Sequence, residues 1–471
     1  MVTPDALAAI PPGLAALSAA RPGYDQTRAY YHGRHTFRFS TEKYRNAFAH
    51  IFHRLSLNLC RGVVNAPADR LELTGFSVEQ GDATLGDAAW EIWQRNRMEI
   101  RAGNIHKHAL RSGNSYAILW PNPAGVPTVY PQKADTVTVV YDEDRPGELH
   151  HAIKAWFAAE WDQASGAMRY RLLVTVYFAN RIEKYQLGGP PRLVPSVADI
   201  SGRSLSERLE ERVVPGEAWP LPNLWNTVPV FHFANDEFAA PGYSELEDII
   251  PVQDALNKTV YDKMVAAEFA AFPQRWATGL EVETDDITGR ARPPFETGND
   301  RMIVNPAPDG AFGAFPTVDL VQYLEVEREY KLSIAQISGT PLHYLSLSTD
   351  PPSGEALKTL EARFVKKVKD RQYAFGAQWE ALAALALRMA DLAGEDARLR
   401  AQWAPAETRS EESTWTVLGQ KAALGVDTET ILREGGYGEK EAADMAAKKA
   451  AVDALGAPMR AVNVAAPVAS R

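Results

Sequence analysis

A proline-free segment of 41 residues, from 353 to 393, constrains the fold of this chain more than any other feature of its sequence. Apolar side chains recur along it at helical spacing, which predicts one continuous helix with a single buried face. At about 1.5 Å per residue, that helix would extend roughly 60 Å. The glycine at 376 is its one weak point. The predicted apolar stripe consists of Leu357, Leu360, Phe364, Val368, Phe375, Trp379, Leu382, Leu385 and Met389.

Between about 113 and 235 the pattern changes to short β-rich runs, each bounded by Pro, Gly, Asn or Asp. Such punctuation predicts an antiparallel sheet rather than alternating βαβ units. The segment 190–222 is richer in polar residues, Pro and Gly, and is predicted to be a loop. Sheet and helices together predict an α+β fold. The runs are 116–120, 137–141, 153–157, 171–178 and 228–233.

Helical spacing covers most of the remaining chain. In the predicted helix 84–111, Trp90, Trp93 and Ile100 are the expected anchors, and Gly113 ends it. Residues 273–316 hold six of the 31 prolines and a strand-like run at 301–304, which predicts a small α/β or β insertion. The other predicted helices lie in 1–60, 57–67, 244–272 and 318–337, with two or three short ones in 411–455.

The start of the helix at 244–272 carries two local signals. Ser244 and Glu247 have the S-x-x-E spacing of a capping box, in which side chains satisfy exposed N–H groups at a helix start. Pro251 is expected to kink or restart this helix, because it removes a hydrogen bond and clashes with the preceding turn.

Composition and motifs argue against an enzyme. The chain has 50 basic and 60 acidic residues and a net charge of −10, which argues against a protein whose outer surface simply wraps DNA. It contains no phosphate-binding P-loop, no G-x-S-x-G nucleophile motif and no H-E-x-x-H zinc motif. The single cysteine cannot form a multi-cysteine zinc site. The sequence contains no run of about 18 consecutive apolar residues, so we expect no membrane span. We therefore predict no catalytic residues, no metal and no cofactor.

The histidine pairs and one acidic run are weak candidates for metal sites. His106 and His108 are two residues apart, so on a helix they point to different sides. His32 and His35 have no carboxylate at ligand spacing, so surface or hydrogen-bonding roles are expected. Residues 142–147 are predicted to be a charged hairpin turn rather than a calcium loop, because Pro146 occupies a ligand position.

A basic run on the long helix stands out on an acidic chain. On a helical wheel, Lys366 and Lys369 point away from the apolar stripe, whereas Lys367 and Arg371 border it. One interpretation is a solvated face with partly buried aliphatic stems. The other is contact with a phosphate backbone or with an acidic neighbouring subunit. The run is Arg363, Lys366, Lys367, Lys369 and Arg371, with only Asp370 opposing it.

The segment T-D-P-P-S-G-E-A-L-K at 349–358 supplies the strongest single motif. Ser353 is placed to cap the long helix, and Glu355 suits its positive N-terminal end. The pattern continues through 360–362, 366–367 and 371–379, and the residues I-S-G-T-P at 337–341 precede it. In these segments, and in 58–75, 90–113 and 242–257, the chain resembles the portal proteins of long-tailed bacteriophages.

This resemblance implies a portal-type subunit with long stem and wing helices. Residues 1–243 would form an N-terminal wing, helical and then β-rich, and 353–399 its long helix. Two stem helices, 244–272 and 317–339, would flank a clip at 273–316. A crown would follow at 400–458, and a flexible tail at 459–471. Residues 340–352 would form the tunnel loop, whose channel-lining residues would be Leu342, His343, Tyr344, Leu345, Ser346, Leu347, Ser348, Thr349 and Asp350.

The resemblance also implies a function. Portal subunits form a ring, typically of twelve copies, at one capsid vertex, and double-stranded DNA passes through the ring during packaging and ejection. Implied partners are the terminase large subunit, the head–tail connector, and the capsid and scaffolding proteins, within a virion assembled in bacterial cytoplasm. The tunnel loop has no Lys or Arg, which suits sequence-independent, transient contact, because each basic contact adds affinity that slows sliding. The alternative is a multimeric capsid or connector scaffold that does not enclose DNA.

Overall fold

The structure is a computed structural model, and it describes most of the chain in separate stretches. These are residues 2–35, 57–80, 82, 84–163, 165–194, 208–237, 240–271, 275–279, 309–314, 319–345, 354–394, 396–407, 411–435, 437 and 439–462. The chain divides into two compact units, 1–406 and 407–471.

The larger unit begins with four helices and one strand: α1 (Pro4–Tyr31), α2 (Cys60–Ala68), β1 (Leu73–Gln80), α3 (Thr84–Arg95) and α4 (Met98–Ser112). Helix α1 is capped by Thr3, whose Oγ1 accepts a hydrogen bond from the Ala6 N–H at 3.3 Å. It continues through Pro11, Pro12 and Pro22. Helix α2 ends one residue after Pro67, close to its predicted end.

The prediction of a single helix over 84–111 is wrong, because the helix is interrupted between α3 and α4. Arg97 adopts a left-handed conformation with φ 53°, which ends one helix and starts the next. Trp93 is buried as predicted, but Ile100 is 74% exposed and anchors nothing within the described unit. Gly113, with φ 80°, ends α4 as expected.

The predicted antiparallel sheet is confirmed, and it is divided into separate sheets. The strands are β2 (Asn114–Pro121), β3 (Pro127–Lys133), β4 (Val137–Tyr141), β5 (Leu149–Asp162), β6 (Ala167–Phe178), β7 (Arg181–Leu187), β8 (Leu209–Glu211), β9 (Leu221–Pro222) and β10 (Val230–Ala234). One sheet has the order β10-β2-β3, and a second runs β4-β5-β6-β7-β8, with β9 pairing to β7. Every pairing is antiparallel.

Helix α1 covers one face of the larger sheet. Ile10 and Leu14 are buried against strand residues that include Ile153. A Cβ on Gly13 would lie 2.2 Å from Ile153 Cδ1, so glycine permits the close approach of helix and sheet. The predicted hairpin turn at 142–147 is confirmed, since it joins β4 to β5 and the Asp142 carboxylate accepts the Asp144 N–H at 3.0 Å.

The second half of the larger unit contains α5 (Ile249–Ala271), β11 (Arg275–Ala277), β12 (Phe312–Ala314), α6 (Val321–Ser338), α7 (Leu342–Leu345), α8 (Gly354–Met389) and β13 (Arg398–Trp403). The predicted capping box is wrong, because α5 starts at Ile249. The Ser244 hydroxyl instead donates to the Arg111 carbonyl at 2.6 Å and accepts from the Leu246 N–H at 3.0 Å. Pro251 lies in the first turn of α5, where no N–H donor is needed, and no break follows it.

Helix α8 is the predicted long helix and forms the spine of the main core. Most of its stripe is buried, namely Phe364, Val368, Phe375, Trp379, Leu382, Leu385 and Met389. Leu360 is 61% exposed, so the stripe begins one turn later than predicted. Gly376 does not interrupt α8, because it faces β13, where an added Cβ would lie 3.2 Å from Trp403 Nε1. Ser353 and the side chains of Glu355 and Leu357 lie outside the described part.

Two predicted boundaries fall near the end of the larger unit. Strand β13 pairs with β1, so residues 400–406 belong to this unit and not to the region predicted to begin at 400. Of the insertion 273–316, the structure describes 275–279 and 309–314, where β11 and β12 pair; the run 301–304 lies outside the described residues.

The smaller unit consists of α9 (Glu411–Ala423), α10 (Thr428–Glu434) and α11 (Glu439–Val462), as the glycine spacing predicts. Asp427 caps α10 by accepting the Thr430 N–H at 2.8 Å. Helix α11 continues past 459, and residues 463–471 lie outside the described part. In the described ranges, no helix combines the length and hydropathy that crossing a membrane requires.

Candidate functional site

The basic run of α8 divides into an inner and an outer set, as the helical wheel predicts. The side chain of Lys366 is 72% exposed and pairs with Asp370 one turn later. The side chains of Lys367 and Arg371 are only 17% and 9% exposed. Arg363 and Lys369 are exposed on the surface of the helix.

The inner pair binds acidic side chains from a distant part of the chain. Lys367 Nζ contacts the Glu245 carboxylate and donates to the Ser338 carbonyl at 2.8 Å. Arg371 donates from Nη1 to Asp236 Oδ1 at 2.7 Å and from Nη2 to Glu245 Oε1 at 3.4 Å. These two cations therefore connect α8 to the segment before α5 and to the C-terminus of α6, where the helix dipole favours positive charge.

A groove of about 610 Å³ lies beside this cluster. Arg363 and Lys366 contribute positive charge from α8, while Glu247, Asp248 and Asp370 contribute negative charge. Because the lining carries both signs, the groove suits a charged segment of protein better than a uniformly anionic polymer.

The described part of the predicted channel loop is one helical turn, α7, seated on the body of the larger unit. The Tyr344 hydroxyl donates to Glu361 Oε1 at 3.0 Å and accepts from Arg70. His343 Nε2 lies 3.2 Å from the same carboxylate oxygen. Burial, and next the hydrogen bond to Glu361, raises the pKa of Tyr344.

This network fixes Leu342, His343, Tyr344 and Leu345 at the base of the loop, against α2 and α8. Leu345 Cδ2 would lie 3.1 Å from a Cβ on Gly62. The remaining predicted residues, Ser346, Leu347, Ser348, Thr349 and Asp350, lie outside the described residues. Their place in a channel stays a prediction.

His106 is a core residue. It is fully buried, its Nε2 accepts from Trp379 Nε1 at 2.9 Å, and its Nδ1 lies 3.1 Å from the Leu71 carbonyl oxygen. Burial lowers the pKa of His106 to about 3, so the ring is neutral near pH 7. Among the described residues, no group of three or more His, Cys, Asp or Glu side chains is arranged to hold a metal ion.

Helices α5 and α6 form an antiparallel hairpin that projects from the core. Leu256 of α5 and Ile334 of α6 are buried in the main core, but no described residue of α5 after Tyr261, or of α6 before Ile334, is buried. Lys263 of α5 pairs with Glu327 of α6. Although burial acts to raise it, hydrogen bonds from Lys263 and Lys331 lower the pKa of Glu327 overall.

Exposed apolar side chains flank this hairpin on two sides. One side of α6 faces α5. At about 100° per residue, the apolar residues on one flank of that side are Val321, Leu324 and Leu332. Val326 and Ile337 lie on the other flank. All five are between 36% and 57% exposed. The sequence carries a signal for this surface, because apolar residues occur around most of the helix, but we did not predict it.

Comparison with known proteins gives one family. The family model described as "Phage portal protein, SPP1 Gp6-like" matches residues 14–453. The portal protein of Mycobacterium phage D29 is 26% identical over 340 residues, and that of Mycobacterium phage L5 is 24% identical over 343 residues. Each alignment covers 69% of this chain and 63% of the relative, so the chain spans less than two thirds of the length of these relatives.

Two solved structures align with most of the chain. The neck of an empty GTA particle, computed with C6 symmetry, matches with a TM-score of 0.46 and 14% identity, covering 86% of this chain and 95% of that chain. The neck of a native GTA particle, computed with C12 symmetry, matches with a TM-score of 0.40 and 14% identity, covering 83% and 92%.

Proposed function

The chain belongs to the phage portal protein family of the SPP1 Gp6-like type, and from this we propose that its copies form a ring that encloses a channel for double-stranded DNA. The ring, typically of twelve subunits, would occupy one vertex of the virion capsid after assembly in the host cytoplasm. DNA would pass through it during packaging and again during ejection.

The observation that carries this proposal is the pair of apolar flanks on the α5–α6 hairpin. A two-fold dimer buries the same patch on both subunits and would leave the second flank in water. A head-to-tail interface joins two different patches, and when its rotation closes it produces a ring. Each hairpin would then pack between two neighbours, which covers Leu324 on one side and Val326 on the other.

The domain roles follow the family resemblance. We propose that 1–243 and 353–399 form the wing, 244–272 and 317–339 the stem, 273–316 the clip and 340–352 the tunnel loop. The α5–α6 hairpin would be the core of the stem, and the smaller unit, 407–471, would contain the crown and tail.

The basic residues of α8 then take different roles. Lys367 and Arg371 hold the subunit together through Glu245, so they are poorly placed to contact DNA. Arg363 and Lys366 line a groove of mixed charge, which favours an acidic or mixed-charge segment of a neighbouring subunit. Lys369 stays a candidate for either contact.

The proposed role is structural rather than enzymatic. Force for packaging would come from the terminase large subunit, which would dock on the clip, and the head–tail connector would bind there later. Major capsid and scaffolding proteins would surround the ring. The contact with DNA would be transient, because the loop 340–352 contains no Lys or Arg.

Shortening the loop tests the channel. Deletion of residues 346–349 leaves the turn Leu342–Leu345 and its Tyr344–Glu361 hydrogen bond in place. We expect rings with an unchanged number of subunits and at least a tenfold loss of packaged DNA per capsid, because the proposed DNA-contacting segment is removed. The matched control is deletion of four residues, 203–206, from the polar segment 190–222, which should package normally.

The second candidate function is a capsid or connector scaffold that never surrounds DNA. Normal packaging by intact rings that lack residues 346–349 would contradict the channel and favour this scaffold.

A further inference from the structure

A second cavity, of about 320 Å³, lies where α1, α4 and the turn between β3 and β4 meet. Among its described lining residues, Asp135 is the sole acid. Four cationic side chains from the three elements line it, namely Arg28, Lys107, Arg111 and Lys133. On a chain with a net charge of −10, this convergence of positive charge is unusual.

Two of the four cations are already paired. Arg28 contacts Asp25 and lies 3.4 Å from Asp135, and Lys107 lies 3.4 Å from Asp69. The other two, Arg111 and Lys133, have no carboxylate within 4.0 Å in the part of the chain that the structure describes.

Arg111 is held in place by an aromatic ring. Its Cζ lies 5.7 Å from the centroid of the Tyr31 ring, and the Cζ of Arg61 lies 5.5 Å from the same centroid. The Arg111 Nε donates to Ser112 Oγ at 3.4 Å, and within the described residues its two Nη groups donate to no acceptor. A stacked guanidinium with a free edge is prepared for two-point contact with an oxyanion.

Two histidines at the cavity have lowered pKa values, to which the nearby cations contribute. Burial, followed by Arg111 and Lys133, lowers the pKa of His108 to about 4. Burial, followed by Arg111, Arg61, Arg34 and Arg28 in that order, lowers the pKa of His32. Both rings are therefore neutral near pH 7, and each can donate one hydrogen bond to an anion.

Helix dipoles explain only part of the arrangement. Both α1 and α4 end at the cavity, and each helix C-terminus carries about half a negative charge. The cations near the cavity still outnumber the carboxylates when the partial negative charges of the two helix C-termini are added to the carboxylates. In the described part of the chain, Arg34 and Arg61 lie near His32 and add to the four lining cations, whereas the carboxylates that line the cavity or pair with a lining cation are Asp25, Asp69 and Asp135.

We propose that this cavity is a phosphate site, in which Arg111 and Lys133 bind the oxygens of one phosphate group and the nucleic-acid backbone is its source. The volume is at the low end for small-molecule sites, which suits one phosphate with its substituents rather than a folded segment. Convergence of cations from three elements matches an anion with several acceptor oxygens better than a single carboxylate. The site does not need a ring, so its test is independent of the proposed function.

The first experiment measures thermal unfolding of the full-length protein with inorganic phosphate as the probe. Phosphate at 10 mM should raise Tm by about 1–2 °C over chloride at equal ionic strength, because it binds the folded state alone. Lys133→Gln and Arg111→Gln should lose most of this shift. Lys133 is exposed, so its variant tests binding without disturbing the fold, and Arg145→Gln, which removes a surface guanidinium from the β4–β5 turn, should keep the full shift.

The second experiment identifies the source of the phosphate, with fluorescence anisotropy of a 30-bp DNA duplex at 50 and 200 mM salt. If DNA is the source, Lys133→Gln lowers affinity at least threefold and reduces the salt slope by about one, and Arg145→Gln changes neither. A phosphate shift without a DNA effect supports the site and assigns it to free phosphate. The absence of any phosphate shift, or a shift with polyglutamate alone, overturns the proposal.

Discussion

Glu245 joins three parts of the larger unit through one carboxylate. It accepts hydrogen bonds from Lys367, Arg371 and Asn235, and its side chain is 7% exposed. A buried ion pair of this kind adds little over a well-packed apolar contact, yet removing one partner leaves uncompensated charge.

Replacing Glu245 with alanine should therefore destabilise the protein by about 3–5 kcal/mol, because Lys367 loses the carboxylate that it contacts and Arg371 keeps only Asp236. Urea unfolding measures this change. The control is Asp370→Ala, which breaks the exposed pair with Lys366 and should cost about 0.2–0.5 kcal/mol. Equal effects of the two variants would show that the Glu245 cluster is not a structural junction.

The sequence predicts the positions of these residues but not their partners. Helical spacing correctly places Lys367 and Arg371 at the border of the apolar stripe. Their acidic partners lie more than 120 positions earlier, at Glu245 and Asp236, and no local pattern encodes so distant a contact. Local reasoning fails in the same way at Ile100, which is apolar and helical but is 74% exposed in the described unit.

The break between α3 and α4 shows how tertiary contacts override helical spacing. The Asn96 amide donates to the carbonyls of Ile92 and Pro127 and accepts the Val129 N–H at 2.9 Å. These bonds tie the chain to β3 and stabilise the left-handed turn at Arg97. Apolar periodicity continues across the break, so the sequence predicts one helix where the fold contains two.

Two helical glycines with different surroundings test this packing. A Cβ on Gly86 in α3 would lie 2.5 Å from the Phe76 carbonyl oxygen, so Gly86→Ala should destabilise the protein by about 1–3 kcal/mol. A Cβ on Gly103 in α4 would meet nothing within 4 Å, so Gly103→Ala should stabilise it by about 0.5–1 kcal/mol. Chemical denaturation gives both values, and stabilisation by Gly86→Ala would contradict the close packing of α3 on β1.

In the described part of the larger unit, exposed apolar side chains lie on two flanks of the α5–α6 hairpin. The structure confirms the predicted long helix, antiparallel strands and C-terminal helices, because local periodicity and glycine spacing encode them. Assembly is harder to predict, because an exposed apolar residue such as Leu324 has the same sequence pattern as a buried one. The α5–α6 hairpin became a candidate interface only when the structure placed apolar side chains on two of its flanks.

Substitution on the two flanks should prevent assembly without unfolding the subunit. Leu324→Gln and Val326→Gln each remove apolar area that we expect neighbouring subunits to cover. Each should shift the assembly to monomers or open fragments at unchanged Tm of the isolated subunit. Ile100→Gln changes an apolar side chain outside the hairpin that is 74% exposed, against 54% for Leu324 and 44% for Val326; it is the control and should assemble normally.

Native mass spectrometry of the purified protein and these variants, with negative-stain imaging, tests the central claim most directly. A closed ring of twelve copies of 51.9 kDa, about 620 kDa with an axial hole, is the result that we predict. The same mass for Leu324→Gln and Val326→Gln would remove the hairpin from the interface. A compact dimer or tetramer without a channel would contradict the ring itself.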